Sequence, residues 1–158
     1  MPVAAGSDRH IRFLTCGYRL IAYRLVRLRI VAFHDIVNAQ PLLLRRIAIR
    51  GARRDVYVVA TENGSVYAFD ARDGKRLWRR SVGRDLKVCT SWIPPDGDFG
   101  VTSTPMYDPV RKQLYVAVST RLVALNIATG EPEPGWPVQF AFNPLKEHIW
   151  GAVAQLGR

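Results

Sequence analysis

From Asp55 to Trp78 the chain is built of short apolar runs broken by turn residues. "DVYVVAT" is rich in β-branched and aromatic residues, "ENG" interrupts it, and "SVYAFDA" follows. On that second run Tyr67 and Phe69 fall on one face and Val66, Ala68 and Asp70 on the other, the period of two that marks a strand. "RDG" then precedes "KRLWRRSV". The pattern predicts three strands and two tight turns, with Asn63-Gly64 and Asp73-Gly74 as the turn pairs that tolerate φ > 0. In this reading Glu62 is a solvent-facing turn residue. Both faces of the first run are apolar, so the sheet is expected to be covered on both sides.

A second copy follows in "QLYVAVSTRLVALNIATGEPEPGW". Tyr115 answers Tyr57, Ala124 answers Ala68, Gly130 answers Gly74, and Trp136 answers Trp78. Each copy has a candidate leading strand, "NAQPLLLRRIAI" before the first and "FGVTSTPMYDP" before the second; a third leader, "IWGAVAQLGR", aligns Gly151 with Gly100. Short antiparallel strands recurring after 56 to 58 residues predict β-propeller blades, whose usual repeat is shorter, about 40 to 50 residues. The excess length lies in residues 83–98, where Pro94, Pro95 and Gly97 oppose regular structure. The expected fold is all-β: a partial propeller with two four-stranded antiparallel blades (residues 38–83 and 99–140) and the start of a third (148–158). Residues 1–37 form a basic leader outside the repeat. Two blades and a leader cannot close a ring, so the chain reads as a piece of a longer propeller or as a unit that self-associates through open blade edges.

Charge alters the picture only at the N-terminal end. The net charge is +10, but residues 1–54 hold eleven Arg and only Asp8 and Asp35 as acids, whereas residues 55–158 are nearly balanced. Arg19, Arg24, Arg27 and Arg29 interrupt the apolar stretch 11–33, which argues against a membrane-spanning helix or a signal-peptide core. These arginines keep to no single helical face, so neither a membrane-surface helix nor a nucleic-acid contact is favoured.

"AFDARDGKRLW" resembles the A-x-D-x-x-x-G-x-x-x-W core of the pyrroloquinoline-quinone-type propeller repeat at Ala68, Asp70, Gly74 and Trp78. The second copy resembles it at Ala124, Asn126, Gly130 and Trp136, with Asn for Asp and the Trp six rather than four residues after the Gly. The likeness runs from Asn38 to Arg158. It implies that these eight residues are structural, that the Gly makes a turn between strands, and that the Trp docks on the neighbouring blade. It also implies one of two functions. The first is a non-catalytic binding or scaffold module, as in extracytoplasmic outer-membrane assembly lipoproteins, with protein partners and no cofactor. The second is the N-terminal piece of an alcohol or sugar dehydrogenase using pyrroloquinoline quinone and calcium.

The chemistry that would favour a dehydrogenase is sparse. Adjacent cysteines are absent, since Cys16 and Cys89 are isolated. His10, His34 and His148 share no ligand spacing. Asp96 and Asp98 are a close acidic pair in a loop, a composition common in solvated turns as well as in calcium sites. Glu62 or Glu147 could in principle serve as a base, and Trp92 or Trp150 could stack on a planar ligand, although buried packing between blades is the more ordinary role of such tryptophans. No G-x-S-x-G, P-loop or H-E-x-x-H motif is present. No catalytic, cofactor or metal residue is therefore assigned, and the scaffold reading is preferred.

Overall fold

In the computed structural model of the chain, the described residues are 11–16, 19–24, 31–33, 35–84, 99–140, 143, 147 and 149–156; for residues 11–33 only the backbone course is described. All regular elements among them are strands. β1 (Ile11–Cys16), β2 (Arg19–Arg24) and β3 (Val31–Phe33) pair antiparallel in a small sheet of their own. Strands thus run through the basic leader, for which the sequence pattern predicts none.

The repeat gives two four-stranded antiparallel sheets. The first contains, in order, β4 (Leu42–Ile49), β5 (Ala52–Ala60), β6 (Ser65–Asp70) and β7 (Arg76–Ser81). In the second, β8 (Met106–Asp108), β9 (Gln113–Val118), β10 (Arg121–Asn126) and β11 (Val138–Gln139) stand in the same order. Consecutive strands pairing as neighbours make each sheet a meander, the form of a propeller blade.

Turn chemistry differs from expectation in an informative way. A two-residue turn with both residues at φ > 0 does occur, but at Arg50 (φ 50°) and Gly51 (φ 74°), between the paired Ile49 and Ala52. At "ENG" the loop has three residues. The Gly64 N–H donates to the Thr61 carbonyl and the Thr61 N–H to the Ser65 carbonyl, and only Gly64 (φ 74°) is left-handed. This is a type I turn closed by a glycine bulge. The turn after Asp70 has four residues, again with only its glycine, Gly74, at positive φ.

One repeat equivalence is displaced by a residue. Ala68 pairs with Val58, whereas its counterpart Ala124 pairs with Tyr115. Tyr115 therefore occupies the place of Val58, not of Tyr57. A one-residue offset in a strand exchanges the two faces, and Tyr115 accordingly lies beside Trp136, their ring centroids 5.4 Å apart.

The main core is a single cluster drawn from both blades: Val56, Val58, Val66 and Ala68 of the first with Leu114, Val116, Val118 and Leu125 of the second. Full burial of a valine or leucine is worth about 1.5–3 kcal/mol, so this shared cluster is the principal force joining the blades. Tyr57, Val59, Tyr67 and Phe69 form a second cluster on the other face of the first blade. Both faces of β6 and of the Val56–Ala60 half of β5 are thus buried, as their double-sided apolar pattern requires.

The three leading segments run side by side. The Gln40 N–H donates to Thr104 Oγ1 (3.0 Å), and the Val153 N–H to the Thr104 carbonyl (3.0 Å), next to a parallel bridge between Thr104 and Ala152.

Candidate interaction site at the blade junction

Trp78 stands on β7 opposite Ala68, after a bulge that shifts the register at Phe69. The bulge turns the indole toward the second blade, where it is 8% exposed and its Nε1–H donates to the Ile127 carbonyl at 2.8 Å. Beneath the ring lies Gly130. A Cβ there would fall 2.6 Å from Trp78 Cε3, and the residue's φ of 73° also favours glycine. Two positions on, Arg80 shares that face, donating from Nε to the Gly130 carbonyl (2.8 Å) and pairing with the Glu131 carboxylate. Sequence reasoning passed over Arg80. Its position two residues after Trp78 is the signal that would have found it.

The two motif turns are superposable in their bonding. Asp70 Oδ1 accepts the Arg72 N–H and Asn126 Oδ1 accepts the Ala128 N–H. The Gly74 N–H donates to the Asp70 carbonyl, as the Gly130 N–H does to that of Asn126, each at 2.8 Å. Exchange of Asp for Asn keeps this acceptor but replaces the second, charged oxygen with an amide donor, which Asn126 directs to Glu133 Oε1 at 3.1 Å. In the first blade that charge is used: Arg54 Nη1 lies 2.7 Å from Asp70 Oδ2. Burial pushes the Asp70 carboxyl up, but the hydrogen bonds from Arg72 and Arg54 outweigh it and hold the group below its ordinary value.

The late Trp136 also reaches its repeat position. It lies two residues before Val138, which pairs with Leu122, as Trp78 lies two residues before Arg80, which pairs with Val66. The two extra residues are taken up before it, where the Glu133 N–H donates to the Ala124 carbonyl and the Trp136 N–H to the Glu133 carbonyl. Unlike Trp78 it is only half-buried, resting edge-on against Tyr115.

Glu62 corrects the sequence reading most sharply. It is 0% exposed, not solvent-facing. The Asn38 Nδ2–H donates to Oε1 at 2.8 Å, and the Gly100 N–H and Thr102 hydroxyl donate to Oε2 at 3.3 Å. Its own N–H donates to the Ile36 carbonyl. One side chain thus ties the leading segments of both blades to the β5–β6 turn. The approach is close: a Cβ on Gly100 would lie 2.2 Å from Gly64 N and 2.4 Å from the Glu62 carbonyl oxygen. Burial raises the Glu62 carboxyl above its ordinary value, the three donors oppose this, and nearby Asp35 adds to the rise. The signal was missed because its partners lie 24 to 40 residues away in sequence.

The other candidates do not converge. Glu147 is exposed and closes a local turn with Asn143, donating its N–H to the Asn143 carbonyl and accepting the Asn143 N–H at Oε2. Trp150 is 51% exposed rather than buried between blades, edge-on to Phe99 at 6.2 Å. His10, His34, Cys89, Trp92, Asp96, Asp98 and His148 lie outside the described residues, and of Cys16 only its place in β1 is described. Among the described residues no group of three or more His, Cys, Asp or Glu could hold a metal ion, and no helix is long and apolar enough to cross a membrane.

Two meander blades joined through a tryptophan of one and a turn glycine of the next define a β-propeller of the pyrroloquinoline-quinone-like repeat class. Residues 44–133 match the family described as outer membrane protein assembly factor BamB, and the chain belongs to that family. Among solved structures it is similar to BamB from Moraxella catarrhalis, with a TM-score of 0.53 and 18% identity, over 84% of this chain and 35% of that one. The chain therefore spans about a third of that protein's length, and at this identity the likeness bears on the fold alone. A comparison with curated proteins returns no match.

Proposed function

We propose that the chain is a non-catalytic binding scaffold that acts outside the cytoplasm, recruits other polypeptides, and needs no cofactor for that role. The observation that carries this reading is the use to which the repeat residues are put. Asp70, Asn126 and Gly74 shape turns, and Trp78 and Gly130 join blades. Buried Glu62 is engaged by backbone and side-chain donors from two leading segments. Membership of a family described as an outer membrane protein assembly factor supports a partner that is itself protein. The partner surface would be loops and blade edges, where propellers vary without disturbing their docking.

The test is binding of the full chain to a urea-diluted outer-membrane β-barrel polypeptide, run beside a titration with pyrroloquinoline quinone and calcium followed by tryptophan fluorescence. Saturable capture of the polypeptide with a flat quinone response is expected. A saturable quinone response that requires calcium, without polypeptide capture, would overturn the scaffold reading in favour of a dehydrogenase piece.

A further inference from the structure

The β4–β5 hairpin carries a charge that blade docking does not use. Residues 45–54 contain five arginines, Arg45, Arg46, Arg50, Arg53 and Arg54, with Asp55 the adjoining acid. Two of the five have structural work. Arg54 pairs with Asp70, and Arg50 Nη2 donates to the Leu77 carbonyl at 2.8 Å. Asp55 is drawn to the backbone, its Oδ1 accepting the Arg46 N–H at 2.9 Å. Arg45, Arg46 and Arg53 are exposed, and their side chains have no carboxylate partner among the described residues.

The backbone holds this charge in place. Between Leu44 and Ile47 the pairing with β5 slips, and Arg45 and Arg46 form the bulge. Arg46 sits at φ 56°, a left-handed conformation that side-chain-bearing residues rarely adopt. Charge and a bulge are ordinary means of blunting an edge strand such as β4. Arg53 joins them from β5, opposite Ala48 of β4 and beyond the reach of β6, whose pairing with β5 starts at Val56. The corresponding turn of the second blade is neutralised from within, since Asp108 accepts the Val110 and Arg111 N–H groups and pairs with the Arg111 guanidinium at 3.0 Å.

Building on the scaffold reading, we propose that Arg45, Arg46 and Arg53 form a docking surface for an acidic segment of a partner polypeptide. Guanidinium forks match carboxylates two bonds at a time, and the paired hairpin backbone holds their Cα positions in place before binding. A lipid surface is less suited. Membrane-surface elements set apolar side chains beside their charge, whereas the exposed large apolar residues described here are Val110, Val138, Phe140, Trp150 and Leu156, none of them on this hairpin.

The experiment is fluorescence anisotropy of a short labelled peptide of alternating glutamate and serine, titrated with the full chain. Two variants accompany it: R45Q/R46Q/R53Q, and R111Q/K112Q/R121Q, which removes the same charge from the second blade. Binding that weakens with salt, falls about tenfold or more in the hairpin variant, and persists in the second-blade variant is expected. Equal loss in both variants would reduce the effect to net charge and overturn the assignment. So would an unresponsive peptide, or stronger binding to phosphatidylglycerol vesicles or single-stranded oligonucleotide. If the peptide fails while the β-barrel polypeptide is still captured, the hairpin assignment falls and the scaffold reading stands.

Discussion

Glu62 is the residue on which local structure and long-range order meet. A buried carboxylate is tolerated when donors surround it, and here Asn38, Gly100 and Thr102 converge on its two oxygens. Desolvation still dominates, so its folded pKa is raised. For a carboxyl group with a raised folded pKa, the stabilising contribution is fully present below the ordinary, unfolded value and is lost as pH climbs through the folded value. Glu62→Gln removes this titration. The urea midpoint of the native protein minus that of the variant should therefore be larger at pH 4.5 than at pH 8, shifts common to both proteins cancelling in the difference. An equal difference at both pH values would show that Glu62 is not desolvated as described. None of this was legible in the sequence: "ENG" has the composition of a solvated turn, and the segments that cover it are remote. The turn residues Asp70 and Asn126 were legible because each bonds within four residues of itself.

At the scale of elements, the two repeat tryptophans have different surroundings. Trp78 is buried, hydrogen-bonded and seated on Gly130; Trp136 is half-buried against Tyr115. Trp78→Ala should cost about 3–5 kcal/mol, as for a large core aromatic. Trp136→Ala should cost about 1–2 kcal/mol, the transfer of roughly half a side chain. Equal losses in chemical denaturation would contradict this asymmetry. Strand order and blade pairing could be anticipated because alternation and turn residues are local signals. The offset of Tyr115 could not, since the pattern "LYV" in both copies suggests an alignment that only cross-strand pairing corrects. β1 to β3 were missed for a related reason: arginines interrupt the alternation that would have marked them.

For the whole molecule, two blades share one core and one tryptophan junction, with the leading segments laced together at Thr104 and Glu62. In repeat architectures stability is the sum of each unit and its interface with the next, so blades joined this strongly should open together. Trp78 is the side chain that couples them. Native-state hydrogen exchange, read separately on residues 56–70 and 113–126, tests this coupling most directly. The prediction is a common opening free energy for both blades in the native protein, lowered in both by Trp78→Ala. If that substitution weakens protection in residues 56–70 and leaves 113–126 unchanged, the blades are independent units and the junction does not join them.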